Sequence, residues 1–201
     1  MTPLPRSLSV DAIVIGTSAG GVEALSDVLP ALPAAYQGAV FVVLHLPRER
    51  PSLLVDLFAP RCALAVREAD DKEPVAKGTI YFAPPDYHLL IDRGPQLVLS
   101  VDEPVNFSRP SIDVLFESAA DVYGPRLLGV ILTGASRDGA AGLEAVHRAG
   151  GVTCVQEPAT AQAPLMAQAA IQQTPVDHVL PLNAVADLLR TVTTERDAER
   201  I

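Results

Sequence analysis

The sequence predicts a doubly wound α/β fold: a mostly parallel sheet with helices on both faces, in a three-layer αβα arrangement, plus a β-hairpin. Short apolar runs alternate with segments of helical periodicity along nearly the whole chain. The first strand, helix and strand follow one another within about 35 residues, as in a right-handed βαβ unit. The 201 residues are 49% hydrophobic, enough for one full core. We therefore expect one domain over residues 10–192, with flexible termini at 1–9 and 193–201.

The first half of the chain supplies the opening βαβ unit and two weaker elements. Residues 11–16 (DAIVIG) form an apolar run that ends in glycine, which predicts a buried strand. Residues 22–32 have apolar positions at helical spacing, and residues 39–47 (AVFVVLHLP) predict a second buried strand closed by proline. A short helix over 51–59, with proline at its first position, and a strand over 62–69 follow.

The second half of the chain begins with strand-like segments and then returns to alternating helices and strands. Residues 79–84 are strand-like, and the segments 88–92 and 96–100 flank an Arg-Gly-Pro turn, which predicts an antiparallel hairpin. Further helices are predicted over 108–124, 138–151, 160–173 and 182–192, with strands over 127–134, 152–156 and 178–181.

Composition restricts the partners and cofactors. The formal net charge of -9 argues against a nucleic acid or an anionic membrane surface as partner, because both are polyanions. No apolar run reaches the roughly 18 residues of a membrane span, so we expect no membrane insertion. The N-terminus lacks an apolar signal core, so we expect a cytoplasmic protein. Cys62 and Cys154 stand in apolar surroundings without further ligand spacing, which predicts no zinc site and no disulfide framework. We expect no metal and no other cofactor.

Polar residues follow three of the predicted strands directly. Ligands of an open parallel sheet bind beyond the carboxyl ends of its strands. Ser18 follows the first strand within Gly16-Thr17-Ser18-Ala19-Gly20, His45 ends the second, and Asp138 follows the strand at 127–134. These are the residue types of a nucleophile, a general base and an orienting carboxylate. They can meet only if their strands are neighbours in the sheet.

Each of these residues also has a structural interpretation. The glycine-flanked Ser18 matches a nucleophile elbow but equally a helix-capping serine in a glycine turn. His45 is interpreted alternatively as an ordinary loop residue, and Asp138 as the cap of a helix that starts near Gly139. The same glycine-rich segment resembles a dinucleotide fingerprint, but that motif requires an acidic residue where His45 stands, so nucleotide binding is disfavoured.

Five ordered blocks of sequence resemble the catalytic domain of the CheB chemotaxis methylesterases, from about residue 10 to residue 192. The blocks are IGTSAGG at 15–21, HLP at 45–47, FAPPDYH at 82–88, RPSIDVLF at 109–116 and GVILTGASRDGAAG at 129–142. The resemblance implies a catalytic triad of Ser18, His45 and Asp138. The chain departs from the family pattern at two positions. Family members commonly have threonine where this chain has Ala19, and the loop that contains Ala135 often reads Thr-Gly-Met-Gly in the family.

The resemblance implies hydrolysis of glutamyl γ-methyl esters on the cytoplasmic region of chemoreceptors, with deamidation of receptor glutamines by the same acyl chemistry. The backbone N–H groups of Ala19 and Ala135 would hold the oxyanion. Only about ten residues precede the first predicted strand, so regulation by the family's receiver domain is not carried over. The alternatives are a hydrolase of the same fold that acts on another ester or amide, and a non-enzymatic module that binds a partner. No feature of the sequence indicates an oligomeric state.

Overall fold

The structure is a computed structural model that describes residues 7–46 and 52–194. Its strands are β1 Leu8–Ser9, β2 Ala12–Thr17, β3 Ala39–Leu44, β4 Ala65–Glu68, β5 Thr79–Phe82, β6 His88–Asp92, β7 Gln96–Ser100, β8 Leu127–Ile131, β9 Val152–Gln156, β10 His178–Leu180 and β11 Val192–Thr193. Its helices are α1 Gly21–Val28, α2 Leu54–Phe58, α3 Ile112–Tyr123, α4 Ala140–Arg148, α5 Leu165–Gln173 and α6 Leu182–Arg190. None of these helices, within the described ranges, is both long and apolar enough to cross a membrane.

Seven of the strands form one parallel sheet in the order β10-β9-β8-β2-β3-β5-β4. β2 lies between β3 and β8, so the chain first builds the sheet to one side of β2 and later to the other. Such a reversal is the topological switch point at which open α/β sheets bind their ligands. β6 and β7 form a separate antiparallel pair. The doubly wound sheet and the hairpin that the sequence predicts are both confirmed.

Two hydrophobic layers sandwich the sheet because successive residues of each buried strand point to opposite faces. Ile13 and Ile15 of β2 pack in the layer that also contains residues of α1 and α6. Val14 packs in the opposite layer, with α3, α4, α5 and the hairpin. All six residues of β2 and all six of β3 are buried, which is typical of central parallel strands covered on both sides.

Proline explains where several helices differ from the sequence prediction. The first helix ends at Val28, and Pro30 lies in the 3₁₀ turn that follows, because proline lacks the N–H that an α-helix needs. The helix predicted over 160–173 begins only at Leu165, because a residue before proline avoids the helical region and Pro164 directly precedes α5. The helix predicted over 51–59 spans Leu54–Phe58, and its expected proline start lies outside the described residues.

The ends of the domain pair with each other. β1 and β11 form a two-stranded parallel sheet, and the Val10 N–H donates to the Thr193 carbonyl at 2.8 Å. Each of these strands includes residues of a segment predicted as a flexible terminus. Residues 1–6 and 195–201 lie outside the described residues.

Candidate active site

The three strands that carry the predicted site residues are neighbours, in the order β8-β2-β3. The Ser18 N–H donates to the carbonyl of Thr133 at 3.0 Å, which ties the segment after β2 to the segment after β8. The His45 N–H donates to the carbonyl of Thr17 at 3.2 Å, which ties the end of β3 to the end of β2. The sheet thus brings all three loops to one edge.

Asp138 and His45 form a hydrogen bond at the centre of this edge. His45 Nε2 lies 2.9 Å from Asp138 Oδ2, and the Asp138 side chain is fully buried. A carboxylate only accepts hydrogen bonds, so His45 donates through Nε2 and a neutral ring keeps Nδ1 as its acceptor. The Ser108 hydroxyl stands 3.5 Å from that Nδ1.

Five donors surround the Asp138 carboxylate. Besides His45 they are the Ser111 hydroxyl at 2.7 Å, the Ile112 N–H at 2.6 Å, the Asp113 N–H at 3.3 Å and the Asn106 side-chain amide at 3.0 Å. Burial alone would raise the pKa of Asp138, but these hydrogen bonds outweigh burial and hold the pKa below its usual value. Asp138 is therefore ionised at neutral pH.

Asp138 and Asp113 cap each other's helices. Asp138 precedes α4 yet accepts N–H groups at the start of α3, whereas Asp113 of α3 accepts the N–H groups of Gly139 and Gly142 at 2.9 and 2.7 Å. The alternative in which Asp138 caps its own following helix is therefore wrong. This exchange fastens two helix N-termini to each other and holds the buried carboxylate of Asp138 in place.

Asn106 connects the same two carboxylates. Its side-chain amide donates to Asp113 at 2.7 Å and to Asp138 at 3.0 Å. Burial raises the pKa of Asp113 to about 6, and the nearby Asp138 charge adds to that rise. Asn106 therefore supplies two N–H groups at the point where two carboxylates would otherwise repel each other.

A tight turn over residues 105–108 presents Ser108 to His45. The Val105 and Ser108 backbones exchange two hydrogen bonds of 3.1 and 2.9 Å, and the central residues Asn106 and Phe107 have φ of 50° and 63°. Positive φ at both central positions is the geometry of a type I′ turn, which favours asparagine at the first position and glycine at the second. Phe107 occupies the glycine position and its side chain is fully exposed.

Ser18 lies in the short turn between β2 and α1. Gly20 has φ of 77°, so glycine rather than the serine adopts the left-handed conformation. A side chain at position 16 is excluded because its Cβ would lie 2.3 Å from Ile112, at the start of α3. Within residues 7–46 and 52–194, Ser18 Oγ makes no hydrogen bond, so the hydroxyl remains available.

Ala19 and Ala135 carry the two backbone N–H groups that are expected to hold the oxyanion. Neither donates a hydrogen bond to any part of the chain that the structure describes, and both residues are exposed. Thr133 fixes the two segments, because its hydroxyl donates to the Ala19 carbonyl at 2.9 Å and accepts from the Ala163 N–H at 2.9 Å. Two free N–H groups on fixed segments are what an oxyanion requires.

The structure thus places Ser18, His45, Asp138, Ala19 and Ala135 at one sheet edge, with contact established between His45 and Asp138. Sequence reasoning missed the residues that hold this pair: Asn106, Ser108, Ser111 and Asp113. Ser111 and Asp113 lie in the block RPSIDVLF, and Asn106 and Ser108 lie just before it. The resemblance was based partly on that block but assigned no role to its residues.

Comparisons with known proteins agree on one family. The family model described as CheB methylesterase matches residues 13–189. A protein of Leptospira interrogans is 45% identical over 90% of this chain and 94% of its own length, and bears the provisional name protein-glutamate methylesterase/protein-glutamine glutaminase. A protein-glutamate methylesterase/protein-glutamine glutaminase of Anaeromyxobacter dehalogenans is 40% identical over 94% of this chain, which spans 55% of that relative.

A solved structure has the same fold. The crystal structure of the Thermotoga maritima CheB methylesterase catalytic domain superimposes with a TM-score of 0.85 and 31% sequence identity. The match covers 91% of this chain and 98% of the crystallised chain.

Proposed function

The chain belongs to the CheB methylesterase family, and we propose that it hydrolyses glutamyl γ-methyl esters in the cytoplasmic region of chemoreceptors, with Ser18 as nucleophile, His45 as base and Asp138 as orienting carboxylate. The observation that carries this proposal is the 2.9 Å contact between His45 Nε2 and the buried Asp138. Because Nε2 is bonded to Asp138, Nδ1 is the ring nitrogen that can accept a proton. His45 lies at the same sheet edge as Ser18.

Acylation begins with transfer of the Ser18 proton to His45 Nδ1 as Oγ attacks the ester carbonyl. Asp138 holds the required tautomer and stabilises the imidazolium without taking the proton itself. Because Asp138 is ionised and fully buried, its charge acts on the imidazolium with little screening by water.

The tetrahedral intermediate carries its negative charge on the former carbonyl oxygen. The N–H groups of Ala19 and Ala135 are available to donate to that oxygen. The loss of one such donor costs about 3 kcal/mol of transition-state stabilisation in comparable enzymes. His45 then protonates the departing methoxide, and water releases the glutamate by the same steps in reverse.

The substrate assignment rests on the relatives. Those of Leptospira interrogans and Anaeromyxobacter dehalogenans are both named for glutamate methyl esters and for glutamine. An ester and a primary amide share the acyl group and differ in the leaving group, so one serine nucleophile serves both reactions. A chemoreceptor's cytoplasmic region as substrate implies a cytoplasmic enzyme.

Methanol release from methylated receptor cytoplasmic fragments tests the proposal. The full chain should release methanol, and Ser18→Ala should reduce release to background. Ser26→Ala is a matched control, since the Ser26 hydroxyl bonds within α1 to the Val22 carbonyl at 2.8 Å. Hydrolysis of simple alkyl esters without any release from receptor fragments would indicate a different substrate, and full activity of Ser18→Ala would contradict the nucleophile assignment.

A further inference from the structure

A small pocket opens beside His45 on the side of Ser108. Its volume is about 90 Å³, and its lining residues are His45, Leu46, Phe107, Ser108, Arg109 and Pro110. Sites for whole drug-sized ligands measure roughly 300–1,000 Å³. A pocket of this size instead suits a small fragment, such as a few water molecules or a short alcohol.

Besides the His45 imidazole and the Arg109 guanidinium, the polar group that lines this pocket is the Ser108 hydroxyl. Its one hydrogen-bond contact within the described ranges is with His45 Nδ1, at 3.5 Å. The turn that carries Ser108 is anchored through Asn106, which bonds to Asp113 and Asp138.

The chain after Ser108 is anchored as well. Arg109 donates to Asp86 at 2.8 Å and to the carbonyls of Val101 and Asp102 at 2.7 and 3.0 Å. The hydroxyl is therefore held beside the basic nitrogen by a segment fixed on both sides, which is how preorganised polar groups of active sites are positioned.

Acyl transfer through a single histidine constrains where the leaving group lies. The nitrogen that takes the nucleophile's proton also gives it to the departing oxygen, so both oxygens reach Nδ1 in turn. An oxygen within hydrogen-bond reach of Nδ1 on the side of Ser108 is also close to the Ser108 hydroxyl. The pocket lined by Ser108 is then the space next to that oxygen that can receive its alkyl group.

We propose that this pocket is the leaving-group subsite, that it takes the small alkyl part of the ester, and that the Ser108 hydroxyl donates a hydrogen bond to the departing oxygen. The inference rests on the hydrolysis proposed above. The bond from Ser18 Oγ to the acyl carbon forms and the bond from that carbon to the alkoxide oxygen breaks. The proton taken from Ser18 passes from Nδ1 to the alkoxide, and the alcohol leaves. Water then occupies the same place for deacylation.

Receptor fragments esterified with methanol, n-propanol or n-hexanol test the size limit. The kcat/KM of the full chain should be similar for the methyl and propyl esters, and should fall about 10-fold or more for the hexyl ester, whose chain is longer than the pocket can hold. Leu46→Ala shortens a half-buried side chain of the pocket lining and should raise the hexyl-to-methyl ratio about 10-fold. Val179→Ala, on the exposed side of β10, is the matched control and should leave the ratio unchanged.

Ser108→Ala tests the hydrogen bond to the departing oxygen. Its kcat/KM for the ethyl ester should fall about 10-fold. The fall should be smaller for the 2,2,2-trifluoroethyl ester, because a less basic alkoxide needs less stabilisation. A merely structural role for Ser108 would reduce both activities by the same factor, and that outcome would overturn the assignment of Ser108.

The two proposals fail in different ways. No hydrolysis of any glutamyl ester by the wild-type chain would contradict the proposed function and, with it, the subsite. Hydrolysis of methyl and hexyl esters with equal kcat/KM, unchanged in ratio by Leu46→Ala, would overturn the subsite while leaving the proposed function intact.

Discussion

Replacing Asp138 with asparagine changes one oxygen of a buried carboxylate into an amide nitrogen and leaves the shape of the side chain nearly unchanged. Asp138 Oδ2 accepts from His45 at 2.9 Å and from the Ile112 N–H at 2.6 Å. Oδ1 accepts from Asn106 and Ser111, at 3.0 and 2.7 Å, and more weakly from the Asp113 N–H. In either orientation, the new amide places its own N–H groups against donors.

The two orientations have different costs. With nitrogen in place of Oδ2, one backbone donor, the Ile112 N–H, loses its acceptor and His45 must accept at Nε2. With nitrogen in place of Oδ1, the amide opposes Asn106 and the Asp113 N–H, while the Ser111 hydroxyl can rotate to accept. The first orientation leaves fewer donors unsatisfied, at about 1–3 kcal/mol of unfolding free energy for the buried N–H.

The favoured orientation also changes the chemistry of His45. A ring that accepts at Nε2 carries its hydrogen on Nδ1 and cannot take the Ser18 proton. We therefore expect Asp138→Asn to lose about 10⁴-fold in kcat, as in other triads with the same change.

Two measurements on Asp138→Asn check this reasoning: kcat for methanol release and urea-induced unfolding, both at neutral pH. Asp121→Asn is the matched control, because Asp121 lies exposed on α3 and should change neither quantity. A variant that retains kcat within tenfold of the wild type and unfolds at the same urea concentration would refute both the hydrogen-bond network and the tautomer argument.

Three further predictions follow from the same site. Ser18→Ala and His45→Ala should each abolish nearly all methanol release. The double variant should be little worse than either single variant, because both residues act in one proton transfer. Fully multiplicative losses of activity would show that the two residues act separately. Phe107→Gly should raise the unfolding free energy by about 1 kcal/mol, because a residue with φ of 63° is strained unless it is glycine and the exposed ring buries nothing. Lower stability of this variant in urea unfolding would contradict the prediction. The folded-state pKa of Asp113, about 6 against an ordinary 3.8, makes the native state bind more protons than the unfolded state between those values. The Asp113 contribution to stability should therefore grow by about 2 kcal/mol as the pH falls from 7 to 4. Asp113→Asn should remove that component from urea unfolding curves measured across this range, and an unchanged pH dependence would show that Asp113 titrates normally.

The sequence alone predicted the layers of the fold because the pattern that specifies them is local. A run such as AVFVVL is buried on both faces wherever its strand lies, and a strand, helix and strand of this length connect in only one hand. The same local reasoning named Ser18, His45 and Asp138, since ligands of parallel sheets bind at the carboxyl ends of the strands. It was less accurate at helix ends, where a single proline such as Pro30 or Pro164 outweighed an otherwise helical pattern.

Tertiary structure alone decided which of these groups meet and what holds them. His45 and Asp138 are 93 residues apart in the chain, and only the strand order β8-β2-β3 brings them within 2.9 Å. The exchange of caps between Asp138 and Asp113, and the approach of Ser108 to His45 across 63 residues, follow from how α3 and the turn before it pack on the sheet edge. Hydrogen bonds act over about 3 Å and carry no signature in local sequence periodicity, so residue pattern specified the candidates while packing specified their partners.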